Sequence, residues 1–504
     1  MMDPRSRTAR APVLISRRAA LCAGAMLALA STSVSGCAPD SPVGAPSDLG
    51  WEVLRRSLSG TLVLRGEAAM DDFARAFNPL FDVNRPGAVA FCASEQDVAR
   101  CVEFAAGARL PIAARSGGHS YAGYCVPDAG LVVDLGRMAG VTVTGTQAVI
   151  GAGARLIDVY AGVAGAGRML AGGSCPTVGI AGLTLGGGVG VLTRKLGLTC
   201  DQLVSARVVT GDGKVRVVSK DSEPDLFWAI RGVGGGNFCI ATEFTFETAE
   251  TVELTVFTLD YAPGDMAAIM RRWLAVMAGA PDGLWTTLQA IGGAVPHCRI
   301  VGCIAQEEDP RELAEDLRGS VGGTVTDRFI AEMPFLDAMK FMGGCSTLTV
   351  AQCHPSWTGA QEGQLRREAF VASSRMVPDA AADTARIEAL LTDKAGLTFI
   401  FDSLGGAAAR IPADATAFPH RKAAASVQIY HGVGGDAAMA YERVNEARDR
   451  LGEICGPAAY VNYIDPRLPE WAAAYYGENL PRLRAIAASY DPNGVFGFAQ
   501  AVRP

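Results

Sequence analysis

Three glycine-rich loops, well separated along the chain, constrain this sequence more than any other feature. The first is Arg115-Ser116-Gly117-Gly118-His119-Ser120. The second is Gly172-Gly173-Ser174-Cys175-Pro176, continuing to Gly179, Gly182 and Gly186-Gly187-Gly188-Val189-Gly190. The third is Gly234-Gly235-Gly236-Asn237-Phe238. Glycine has no Cβ, so its backbone N–H groups can close on a ligand, and a glycine loop after a strand makes a nest for a pyrophosphate. The 59 glycines cluster without a fixed period, which excludes a collagen-like repeat. No GxGxxG fingerprint opens a helix; the nearest spacing, Gly432-Val433-Gly434-Gly435-Asp436-Ala437, reads as a turn. Several loops therefore wrap something large, and not in the Rossmann way.

The flanking pattern is α+β. Ala88-Val89-Ala90-Phe91 reads as a buried strand. Ser94 then N-caps a helix carrying Val98, Cys101, Val102 and Phe104 at helical spacing, with Asp97 at the capping-box position. Pro111-Ile112-Ala113-Ala114 is a second strand feeding the first glycine loop, and Leu131 to Leu135 a third. Residues 207–210 and 215–218 flank the turn Gly211-Asp212-Gly213 and predict a hairpin. After about Ala249 the character changes to alternating strands, such as Leu254 to Leu259, mixed with helices such as Asp265 to Met277.

The 504 residues exceed one ordinary domain, and 49% hydrophobic content supplies sizeable cores. A net charge of −7 leaves no basic footprint, so nucleic acid is not an expected partner. Arg17-Arg18 after Ser16, followed by an apolar stretch from Ala19 to about Leu29, resembles a twin-arginine export signal, without the usual Phe after the pair. Val34-Ser35-Gly36-Cys37 resembles a lipoprotein processing box, which would make Cys37 a lipid anchor in the periplasm or outside the cell. The 13 cysteines contain no CxxC pair, so no metal site is expected, and sequence does not give disulfide pairing. The expected organisation is an export signal at 1–37, a linker at 38–70, a first domain at 71–250, a second at 251–454, and a tail at 455–504 that completes the first.

His119 and Cys175 each sit inside a glycine loop that must approach a ligand. Arg115-Ser116-Gly117-Gly118-His119-Ser120 resembles the pyrophosphate and histidyl-flavin loop of the vanillyl-alcohol-oxidase superfamily. Residues 173–188, Gly-Ser-Cys-Pro-Thr-Val-Gly-Ile-Ala-Gly-Leu-Thr-Leu-Gly-Gly-Gly, resemble its berberine-bridge-enzyme-like branch. The tail agrees, through Tyr460-Val461-Asn462-Tyr463-Ile464-Asp465 and Tyr490-Asp491-Pro492-Asn493-Gly494. The resemblance implies a PCMH-type FAD-binding domain and an antiparallel-sheet substrate domain covered by helices. It implies FAD attached through both His119 and Cys175, with Arg115, Ser116, Gly117, Gly118, Ser120, Gly179, Gly182, Gly187, Gly188, Ile240 and Asn462 around it. Where the family usually has glycine, this chain has Cys239.

The resemblance further implies oxidation of an alcohol or hemiacetal, sugar-like or a secondary metabolite, by hydride transfer to flavin N5. Tyr463 is then the base, and its pKa, ordinarily about 10, must be lowered for that role. Asp402 is one of several acids available to assist. Ile180 resembles a position near the flavin C4a edge. Electrons pass to O2; a dehydrogenase using a quinone or protein acceptor, or a catalytically silent flavin-binding protein, are the alternatives. Trp357, His354 and Tyr430 are candidates for a pocket wall or for ordinary packing.

Overall fold

A computed structural model describes residues 48–305, 307–357 and 362–504, and the described chain forms one compact unit. The export signal and Cys37 lie outside the described residues. Among the described residues no helix is long and apolar enough to cross a membrane.

The first half builds two sheets. In one, the strands run in the order Thr61–Leu64, Ala88–Phe91, Leu131–Asp134, Ile112–Arg115; the last three are parallel, and Thr61–Leu64 joins antiparallel. The helix Glu95–Ala108 makes the crossover, with the Ser94 side chain accepting from the Asp97 N–H as its cap. Asp97 itself turns away from a capping box and accepts from the N–H groups of Ser59, Gly60 and Ala93. The second sheet is antiparallel, in the order Val141–Thr144, Gln147–Gly151, Cys239–Glu247, Leu203–Thr210, Val215–Ser219. One hydrophobic core, from Ala88 and Val133 to Ile150, Val208 and Phe244, lies beneath both.

The stretch expected as linker is structured from residue 48 onward. The helix Asp48–Ser57 buries Trp51 and Leu54 in that core, and Thr61–Leu64 is a sheet strand. The Pro- and Ser-rich composition that suggested a linker ends near Gly50, before the amphipathic pattern begins.

The middle of the chain forms a seven-stranded antiparallel sheet in the order Val325–Pro334, Glu253–Tyr261, His297–Ala305, Leu284–Ile291, Leu397–Ser403, Ala425–Gly432, Phe370–Val377. Side chains alternate across a strand. Leu397, Phe399 and Phe401, with Val427 and Ile429, point into a core shared with the helices Met266–Gly279, Pro310–Val321 and Ala437–Cys455. The intervening residues Ile400, Asp402, Gln428 and Tyr430 therefore share the opposite face. A disulfide joins Cys345 to Cys353 beside Ile157.

The tail stitches the halves together. Tyr460 Oη accepts from the N–H groups of Gly188 (2.9 Å) and Val189 (3.2 Å), and its own N–H donates to Ser374 Oγ in the middle sheet (3.0 Å). Tyr476 Oη donates to the Val233 carbonyl and the Val502 N–H to Asn237 Oδ1.

Candidate active site

The three glycine loops and the tail converge on one cleft of ≈ 260 Å³. Ser116 to Tyr121, Gly179, Ala181 to Leu183, Gly234 to Asn237, and Val461 to Ile464 line it. The loops touch so closely that a Cβ on Gly117 would collide with the Gly179 backbone, and one on Gly186 with the Asn462 amide. Elsewhere the same glycines leave space. A Cβ on Gly182 would meet nothing within 4 Å, and one on Gly235 only the Gly182 Cα at 3.9 Å. Tyr124, also on the cleft, has a buried hydroxyl with no partner. A slot walled by bare backbone, with a partnerless tyrosine hydroxyl buried in a residue of its wall, fits FAD. Tyr124 carried no motif signal in the sequence; only its burial without a partner marks it.

Most of the sequence-predicted residues reach this cleft. Ser116 donates to the Ala152 carbonyl (2.6 Å), and Ser120 Oγ accepts from the Tyr124 N–H (3.1 Å). Gly118 has φ +73°, a conformation glycine adopts without strain. The His119 ring lies flat on Phe77, centroids 3.9 Å apart, and its Nε2 is 2.9 Å from Thr177 Oγ1. Burial and the Arg155 charge hold the His119 pKa down at about 3, so the ring is neutral. Cys175 is not among the cleft-lining residues, yet its Sγ lies 3.5 Å from the same Thr177 hydroxyl. Distant in sequence, His119 and Cys175 meet at Thr177. Ile240 and Asn462 line the cleft; Asn462 donates to the Leu183 carbonyl and Tyr460 Oη. Cys239 takes its place in the wall with its thiol pushed up to about 12 by burial, so it stays protonated.

Five other residues that the sequence singled out lie off the cleft wall. Arg115 does not line the cleft: it is 7% exposed and its Nε donates to Asp134 at 2.6 Å. The two face each other across paired parallel strands. Leaving either charge buried alone would cost about 3–5 kcal/mol, so the pair belongs to the fold. Gly187 and Gly188 also lie off the cleft. Their φ values of +117° and +89°, and their packing against Phe418 and Thr199, require glycine there. Ile180 is fully buried and does not line the cleft. His354 pairs with Asp158 at 2.8 Å and is likewise absent from the cleft wall.

At one end the middle sheet supplies chemistry. Tyr463 Oη donates to Asp402 Oδ2 at 3.3 Å. Tyr121 stacks on Tyr463 with centroids 5.4 Å apart, and Gln428 Nε2 donates to Tyr121 Oη at 2.7 Å. The rings continue outward, Tyr121 to Phe370 (5.0 Å) and Phe370 to Tyr430 (5.2 Å). Trp357 approaches the same wall through Phe77, at 5.8 Å. Burial pushes the Asp402 carboxyl up to about 6, opposed by the hydroxyls of Thr287 and Tyr463 beside it. Burial and the Asp402 charge push Tyr463 well above its ordinary value. This is opposite to the lowering that a preformed phenolate base requires.

Comparison with known proteins agrees with the cleft. Residues 86–219 match the FAD binding domain family, and residues 459–503 the family "Berberine and berberine like". The FAD-linked oxidoreductase YgaK of Bacillus subtilis is 30% identical over 461 residues, 89% of this chain and 98% of that protein. The glucooligosaccharide oxidase of Sarocladium strictum is 31% identical over 484 residues, 85% of this chain and 89% of that one. A solved glucooligosaccharide oxidase from Acremonium strictum, described as carrying a 6-S-cysteinyl, 8α-N1-histidyl FAD, superposes with TM-score 0.78 at 27% identity, covering 90% of this chain and 99% of that chain. This chain is an FAD-linked oxidoreductase and belongs to the berberine-bridge-enzyme-like family.

Proposed function

We propose that this enzyme oxidises the CH–OH group of an alcohol or hemiacetal, sugar-, oligosaccharide- or secondary-metabolite-like, with FAD held through His119 and Cys175 and electrons passed to O2. The observation that carries this reading is the Tyr463 hydroxyl set against the half-buried Asp402 carboxyl, 3.3 Å apart, at the end of the cleft. Bound FAD supplies the two-electron hydride acceptor. The protein must remove the hydroxyl proton. Tyr463 begins as a neutral phenol, so it works as a relay: it takes the substrate proton as it hands its own to Asp402. Above pH 6 Asp402 is a carboxylate and can accept it. Tyr121, Phe370 and Tyr430 offer flat faces against which a ring-shaped substrate can lie. The glucooligosaccharide oxidases among the relatives support a sugar-like substrate and the double attachment. Arg17-Arg18 and the short apolar stretch behind it support export.

The test is a panel of reducing oligosaccharides and simple secondary alcohols mixed anaerobically with the purified enzyme. Bleaching of the flavin by one class, followed by oxygen uptake on aeration, is the expected result. Reduction of a quinone without oxygen uptake would reassign the acceptor. A flavin that no CH–OH donor bleaches would overturn the reading.

A further inference from the structure

Thr177 was given no role by the sequence, yet it occupies the point where the two flavin-attachment candidates meet. It is 1% exposed. Its Oγ1 lies 2.9 Å from His119 Nε2 and 3.5 Å from Cys175 Sγ. A threonine hydroxyl carries one proton and two lone pairs, so it can accept from one neighbour while donating to the other. The two possible directions have different consequences. If Thr177 donates to Nε2, the imidazole proton sits on Nδ1 and that nitrogen has no free pair. If Thr177 accepts from Nε2–H, Nδ1 keeps its lone pair and the hydroxyl proton points to the Cys175 sulfur. Only the second arrangement leaves both His119 and Cys175 ready to form a bond to carbon. Phe77 stacked on the imidazole fixes the ring plane, so the hydroxyl decides which nitrogen is available.

We propose that Thr177 is the positioning residue for flavin attachment: its hydroxyl accepts the Nε2–H of His119, leaving Nδ1 as the nucleophile, and holds the Cys175 sulfur beside it. This rests on the covalent attachment proposed above. In the step, a bond forms between Nδ1 and the 8α carbon of FAD. That carbon gives up one hydrogen as a proton. The imidazole gives up its Nε2 proton through the Thr177 hydroxyl, toward the Cys175 sulfur or water in the cleft. The electron pair of the broken C–H bond remains on the flavin and leaves to O2 or the other oxidant that serves turnover. The neutral state of His119 agrees with this direction, since an imidazolium has no pair to offer.

The experiment compares the wild-type enzyme with Thr177→Val, which keeps the shape and removes the hydroxyl, and Thr177→Ser, which restores it. Each is produced under riboflavin limitation and given FAD. Bound flavin is read from its absorbance, and attached flavin from intact mass and from fluorescence retained after acid precipitation. The expected result is that Thr177→Val binds FAD but attaches it about tenfold more slowly, while Thr177→Ser stays close to wild type. Wild-type speed in Thr177→Val, or a Thr177→Ser enzyme as slow as Thr177→Val, would overturn the proposal. A second measurement needs no variant: NMR of the flavin peptide from the wild-type protein should find Nδ1 bonded, and a bond at Nε2 would overturn the proposal even if Thr177→Val fails to fold. Wild-type protein that releases all its flavin into acid would remove the covalent reading and this one with it; attached flavin with no effect of Thr177 would remove this one alone.

Discussion

The cleft wall and the sheet face behind its Tyr121–Tyr463 end are built on different principles. The flavin-side wall is backbone: Gly117, Gly182 and Gly235 shape it by what they lack, and the loops close until one Cβ more would collide. The sheet face is made of single side chains, Asp402, Gln428 and Tyr430, placed by strand alternation opposite a Leu- and Phe-rich core; Asp402 and Gln428 reach the cleft through the lining residues Tyr463 and Tyr121. The first wall holds a cofactor and tolerates little change in shape. The second presents single titratable and aromatic side chains, so it can vary one residue at a time.

That contrast predicts graded failures. Gly182 lies in a short helix, without backbone strain, and its Cβ direction is open. Gly182→Leu should therefore fill the slot and yield folded protein with no bound flavin. Gly107→Leu, at an equally open glycine in the helix Glu95–Ala108, should keep its flavin. Flavin absorbance after gel filtration decides this, and a yellow Gly182→Leu protein would show that the slot lies elsewhere. At the Tyr121–Tyr463 end the cofactor should survive while chemistry fails. Tyr463→Phe should retain FAD and lose about 10²–10⁴-fold in the rate of anaerobic flavin reduction. The smallest effect belongs to the outermost ring: Tyr430→Ala should raise KM about three- to tenfold with kcat nearly unchanged, the size expected for one aromatic stacking contact.

The same contrast explains what the sequence made legible. The strand–helix–strand pattern around Ala88 to Asp134 and the glycine loops could be read because the backbone itself dictates those residue types. Arg115 could not be placed by pattern, since its partner Asp134 becomes its neighbour only through strand register. Gly187 and Gly188 look like ligand-binding glycines, but Phe418 and Thr199, far along the chain, impose the constraint. Asp402 could be named but not ranked. Alternation tells which residues share a face, and only the packing of the helices tells which face turns toward Tyr463 and Tyr121. Tyr463 was found by its motif, while the direction of its pKa shift was not, because that depends on burial beside Asp402.

The most direct test is the pH dependence of anaerobic flavin reduction in the wild-type enzyme and in Asp402→Asn. In the proposed relay Asp402 must be ionised to receive the proton of Tyr463, and burial places its pKa at about 6. The rate should therefore rise as pH increases through about 6 and then level off. Asp402→Asn should keep its FAD, react about 10²-fold more slowly, and lose that acidic limb. An Asp402→Asn enzyme with the wild-type limb and rate would contradict the relay and return the chemistry to another base.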